Sequence, residues 1–128
     1  MNPKKIWSNF AVADLERTTT FYTALGFRSN GRNKDLTSFF VSDDNFIMHF
    51  FLKDVLLPNF KGEIADSQKV NEVLFTLSAS SKEQVNDWAK EVESAGGKII
   101  SPPAEFGNGY YGFWFADPDG HRFNVFFM

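Results

Sequence analysis

Along the chain, apolar residues recur with a period of two, then with a helical period, then with a period of two again, and the whole succession occurs twice. Ile6–Val12 alternates, with Phe10 and Val12 on one face and Trp7, Asn9 and Ala11 on the other, the pattern of a half-buried strand. Asp14 suits an N-cap, and Leu15, Thr18, Tyr22 and Leu25 fall on one helical stripe. Gly26 stands where a left-handed residue ends a helix. Phe27–Arg28 opens a second strand, and Thr37–Val41 with Phe46–Leu52 makes a hairpin across the polar stretch Ser42–Asn45. The first unit therefore reads βαβββ.

The second half repeats the order. From Val70 onward, Val73, Phe75 and Leu77 share one strand face, leaving Glu72, Leu74 and Thr76 on the other. Ser80 and Glu83 have the spacing of a capping box; Val85, Trp88, Ala89 and Val92 form the apolar stripe; Gly96-Gly97 ends the helix. Lys98–Ser101 is the next strand, stopped by Pro102-Pro103, and the glycine-rich loop Phe106–Tyr110 leads into Tyr110–Met128. There Asp117-Pro118-Asp119-Gly120 separates two apolar runs. Proline presets one turn dihedral and glycine supplies a positive one, so the last two strands form a hairpin. If Ala116 pairs with His121, Tyr111, Phe113 and Phe115 share a face with Arg122, Asn124 and Phe126; a bulge near the turn exchanges the first set for Tyr110, Gly112 and Trp114.

Laid over each other without a gap, Ser42–Phe51 and Asp117–Phe126 bring His49 over Asn124, and Trp7–Val12 over Glu72–Leu77 brings Trp7 over Glu72. The expected fold is α+β: two tandem βαβββ units in a cupped mixed sheet, with helices Asp14–Leu25 and Ser81–Ala95 on its outer face. Residues 1–128 make a single domain, unit one covering about 4–53, a connection 54–69, and unit two about 70–128. Val55, Leu56, Leu57 and Phe60 make the connection too apolar for a solvated linker. It reads either as a short helix packed on the sheet or as a mobile flap over a binding site.

Composition narrows the function. A formal charge of −3 leaves no basic footprint, which argues against nucleic acid. No apolar run nears the roughly 18 residues of a membrane span, and Met1–Lys5 lacks a signal-peptide pattern. With no cysteine there are no disulfides and no thiolate chemistry, and a cytoplasmic protein is expected. Sixteen phenylalanines exceed what one small core hides, which points to a pocket or a homodimer interface.

Asp14-Leu15-Glu16-Arg17, Phe21-Tyr22, Leu25-Gly26-Phe27, Ala95-Gly96-Gly97 and Asp117-Pro118-Asp119-Gly120-His121 together resemble the vicinal oxygen chelate superfamily, the glyoxalase, bleomycin-resistance and extradiol-dioxygenase group. The resemblance covers nearly the whole chain. It implies one divalent metal held by His, Glu or Gln side chains on the first and last strands of each unit, at Trp7, His49, Glu72 and Asn124 here. A metalloenzyme needs about three strong ligands and an open position. Tryptophan cannot ligate, and a carboxamide is a poor substitute for a carboxylate at a transition-metal site. Only His49 and Glu72 remain as metal ligands, so no cofactor is expected, although a divalent metal is compatible with that pair. If they meet, they form a charge-assisted pair able to act as general acid and base, or one that merely satisfies itself.

Trp7 reads as a stacking wall, Asn9 shares its face, and Tyr111, Phe113, Phe115, Arg122, Asn124 and Phe126 complete an aromatic lining with a few polar groups, the usual make-up of a small-molecule site. Three functions follow. The first is a binder of a small apolar or aromatic molecule without a catalytic metal, like the drug-sequestering members of the resembled family. The second is a metal-dependent lyase, isomerase or dioxygenase of the glyoxalase type using His49 and Glu72. The third is a structural or regulatory dimer with a filled cup. The expected partners are a small-molecule ligand and a second copy of the chain, with no nucleic acid and no membrane.

Overall fold

The computed structural model describes all 128 residues. The chain divides into two compact units, Met1–Ile64 and Ala65–Met128. In the first, β1 (Ile6–Val12), α1 (Leu15–Ala24), β2 (Arg28–Arg32), β3 (Leu36–Phe40) and β4 (Phe46–Leu52) run directly into α2 (Lys53–Phe60). In the second, β5 (Leu74–Ser78) is followed by α3 (Lys82–Ser94), β6 (Lys98–Phe106), β7 (Tyr110–Ala116) and β8 (Arg122–Phe127). Each unit closes a four-stranded mixed sheet of the same topology, ordered β1-β4-β3-β2 and β5-β8-β7-β6. The outer pairs β1·β4 and β5·β8 are parallel and the rest antiparallel. The tandem βαβββ reading is thus the fold of the chain.

Each helix covers one face of its own sheet. Asp14 caps α1 by accepting from Arg17 N at 3.0 Å, and the helix buries Leu15, Thr18, Phe21 and Tyr22. Tyr22 stacks on Phe50 at 4.5 Å between ring centroids, and Phe50 stacks on Phe10 at 5.2 Å. Alternation then assigns Ser8, Phe10, Val12, Met48 and Phe50 to the helix side. In the second unit α3 buries Val85, Ala89 and Val92. Its Asn86 Oδ1 accepts from the Tyr111 hydroxyl at 2.8 Å, and Phe115 stacks on Phe123 at 5.1 Å. Tyr111, Phe113, Phe115, Phe123 and Val125 therefore form the helix side of that sheet. Each large apolar side chain buried here contributes roughly 1.5–3 kcal/mol.

Several local expectations change. The α3 cap lies one residue later than Ser80: Ser81 Oγ accepts from Gln84 N at 3.0 Å, and it is Gln84, not Glu83, that reaches back, its Oε1 accepting from Ser80 N just before the cap at 2.8 Å. Pro102-Pro103 does not end β6, which runs on to Phe106. It is an edge strand, and its register shifts between Ile99 and Ser101 and again before Ala104, so the missing N–H groups cost no ladder bonds. Of the two readings of residues 54–69, the helix is present: α2 buries Leu56 and packs on β1 and β4. The second unit's first strand begins at Leu74, not Val70. The preceding segment instead fastens the last turn. Ser67 Oγ donates to Asp119 O at 2.7 Å, Gln68 Nε2 to Pro118 O at 2.8 Å and Asn71 Nδ2 to Gly120 O at 3.0 Å.

Candidate functional site

The open face of each sheet, opposite its helix, carries the polar groups. In the first unit Asn9 is the register partner of His49 on one side and Ser38 on the other. Asn30 Nδ2 extends this row by donating to Ser38 Oγ at 3.1 Å. Trp7, Ile47, Phe40 and Phe51 flank the row by alternation, and the Phe51 ring meets His49 edge-on at 5.7 Å. Burial pushes the His49 imidazole below its ordinary value of 6.5, so it is neutral at pH 7, with one donor and one acceptor nitrogen. The cation beside this face is already neutralised: Arg28 pairs with Asp44 and lies over the Phe40 ring at 3.9 Å.

The second unit has the same row with different chemistry. Asn124 is paired in register with Thr76 and Trp114, and Ser101 follows Trp114. Thr76 Oγ1 donates to Asn124 Oδ1 at 2.7 Å, which uses one of the two acceptor positions of the carboxamide oxygen. Around this pair lies an aromatic cluster. Phe106 meets Trp114 edge-on at 4.7 Å and stacks on Tyr110 at 5.5 Å, and Tyr110 meets Phe126 at 5.6 Å. Gly112 makes the cluster possible: an added Cβ would collide with the Val125 carbonyl and stand 3.0 Å from Phe106. Beside the cluster is a hollow of about 220 Å³, lined among others by Glu72, Leu74, Ile100, Trp114, Arg122 and Phe123.

The register at the last turn decides which rings line this face. Ala116 pairs with Arg122, not with His121. Tyr111, Phe113 and Phe115 consequently lie on the helix side, and Tyr110, Gly112 and Trp114 share the open face with Arg122, Asn124 and Phe126. The expected set is corrected to its alternative. The cause is the turn itself. Gly120 adopts a positive φ of 96° and donates to Asp117 O at 2.9 Å, while Asp117 N donates to His121 O at 3.0 Å. This adds one bulged residue to the loop. The Asp117 carboxylate holds it in place, Oδ1 accepting from Asp119 N at 3.0 Å and His121 N at 2.8 Å, with His121 Nδ1 at 2.8 Å from Oδ2. His121 is thereby part of a buried turn.

Glu72 is displaced as well. The helix caps Asp14 and Ser81 are equivalent, and counting back from them sets Leu74, not Glu72, opposite Trp7. Glu72 is exposed and lies outside β5, so its strand placement is corrected. It lines the hollow with Arg122, and this pairing of two sequence-predicted residues was invisible in the alternation pattern. Nor did that pattern single out Ser38, Thr76 or Phe106. The first two are register partners of the polar positions His49 and Asn124, the only available signal for them.

The metal implied by the resemblance does not fit these residues. Trp7 and Leu74 offer no donor, the Asn124 oxygen is engaged by Thr76, and no three His, Asp or Glu side chains converge anywhere in the chain. No helix is long and apolar enough to cross a membrane.

Comparisons with known proteins agree with this fold. A hypothetical protein of Staphylococcus aureus superposes with a TM-score of 0.86 at 26% identity, covering 100% of this chain and 96% of its own. A glyoxalase-related enzyme from Fulvimarina pelagi also gives 0.86, at 20% identity over 95% of this chain and 86% of its own. A lactoylglutathione lyase from Agrobacterium tumefaciens gives 0.70, at 18% identity over 99% and 96%. The last two likenesses speak for the fold alone. No curated protein matches the sequence significantly. The family profile described as Glyoxalase/Bleomycin resistance protein/Dioxygenase superfamily matches residues 7–125, nearly the whole length, and the chain belongs to that superfamily.

Proposed function

We propose that the protein binds a small apolar or aromatic molecule on the open sheet face of its second unit, without a catalytic metal. The observation that carries this reading is the half-buried cluster of Phe106, Tyr110, Trp114 and Phe126 beside a hollow. Rings that neither sink into the core nor become covered keep apolar surface in water, and a ligand that covers them releases that water. The buried Asn124 carboxamide, its oxygen held by Thr76, supplies one oriented polar group among the rings. The ligand-poor set of metal positions supports binding rather than metal-dependent chemistry.

Titration with toluene and with indole, followed by amide and indole NMR shifts, tests the reading. Shifts are expected at Gly112, Trp114 and Phe126 and should persist in EDTA. Binding that disappears with EDTA, or no shift at either probe, would sink it.

A homodimer belongs to the same proposal. Only six of the sixteen phenylalanines are fully buried, and Ile6, Trp7, Leu57, Phe60 and Val70 stand exposed. Light scattering should give twice the 14.6 kDa chain mass; a constant monomer over a wide concentration range would remove the dimer.

A further inference from the structure

The hollow beside the aromatic cluster contains two charges of opposite sign. Arg122 enters from β8 and Glu72 from the segment before β5, and both line the same space. They are not within ion-pair distance of each other, and no other residue of the chain forms an ion pair with either. Arg28 and Arg32, by contrast, each have a carboxylate. Arg122 is half-buried, so its guanidinium has given up part of its hydration without a protein partner in return. Between the two charges the hollow is lined by Leu74, Ile100 and Trp114. At about 220 Å³ the space is below the roughly 300–1,000 Å³ of a drug-sized pocket.

We infer that this hollow takes a small zwitterion with an apolar body, of the size of an aliphatic amino acid. Its carboxylate lies against Arg122, its ammonium against Glu72 and its apolar body on Trp114 and Leu74. A simple carboxylic acid leaves Glu72 facing its own charge, and a simple amine leaves Arg122 unpaired; only a ligand with both charges uses both side chains. This inference rests on the binding reading above and names the class of ligand for the same face.

The test compares three molecules of matched shape: L-leucine, 4-methylpentanoate, which lacks the ammonium, and 3-methylbutylamine, which lacks the carboxylate. Binding is followed by NMR shifts at Leu74, Trp114 and Arg122. L-leucine should bind about tenfold or more tightly than either analogue. Arg122→Gln should remove that advantage over the amine, and Glu72→Gln the advantage over the acid. Glu72 is exposed, so the second variant keeps the test valid if the first fails to fold. If either analogue binds as tightly as L-leucine, one charge is idle and the inference is wrong. If toluene shifts Trp114 and L-leucine shifts nothing, only this inference falls; if neither binds, the binding reading falls with it.

Discussion

The two units share a backbone plan and differ in what their open faces present. Asn9, His49 and Ser38 stand in register in the first; Thr76, Asn124 and Trp114 stand in register in the second. One row is polar with a neutral imidazole at its centre, and the other ends in an indole amid aromatic rings. On the helix sides the difference vanishes: Phe39, Met48 and Phe50 answer to Phe115, Phe123 and Val125 as buried apolar cores. The side that packs against a helix is constrained by close packing. The side that does not is free of that constraint, and it is there that the two units differ.

The turns before the two last strands differ in the same way. Asp117–Gly120 is buried, internally hydrogen-bonded and fastened by Ser67, Gln68 and Asn71. Ser42–Asn45 is mostly exposed, its Asp44 paired with Arg28 at the surface. One turn sets a register, and the other only joins two strands.

The largest effect should come from this contrast. Gly120→Ala places a side chain at a positive φ of 96° and into the Ser67 carbonyl, and should destabilise the protein by about 3 kcal/mol or more. Asn45→Ala, at the matching point of the exposed turn, should stay within about 0.5 kcal/mol. Urea denaturation of both variants measures the gap; equal losses would mean that the turns are equivalent after all.

Next in size is binding. Trp114→Ala should weaken toluene or indole binding about tenfold, whereas Ser38→Ala, at the matching row position, should leave the second unit's NMR shifts in place. Loss of binding in the Ser38 variant alone would reverse the assignment of the two faces.

At the level of caps, Ser81→Ala should cost about 1 kcal/mol, and Ser80→Ala less than about 0.5 kcal/mol. Thermal unfolding that ranked them the other way would return the cap to Ser80.

The smallest effect concerns His49. Its folded pKa lies below the ordinary 6.5, so in the window between the two values the unfolded chain binds more protons. Stability should therefore rise with pH through that window, be complete above about 6.5, and fall as the solution is acidified. His49→Asn, which copies Asn124, should flatten this slope. The difference between the wild-type and variant pH profiles isolates the His49 contribution, and an unchanged difference across the window would show His49 to be fully solvated.

The sequence by itself determined the order and type of the elements in the two units, though not all their ends, because order and type follow from local periodicity. Asp14 and Gly26 bracket one helix, the Val85–Val92 stripe marks another, and the duplicated strand–helix–strand order reveals the tandem units. Tertiary structure decided the register. In a strand, side chains alternate with a period of two, so a slip of a single residue exchanges the whole lining. The bulged residue in the Asp117–Gly120 turn moves Tyr111, Phe113 and Phe115 into the core and brings Tyr110, Gly112 and Trp114 onto the open face. Hydrogen bonds from Ser67, Gln68 and Asn71, some fifty residues away along the chain, secure that turn and keep Glu72 out of β5 beside Arg122. Such contacts leave no periodic trace, because they join side chains to backbone carbonyls that any residue could supply.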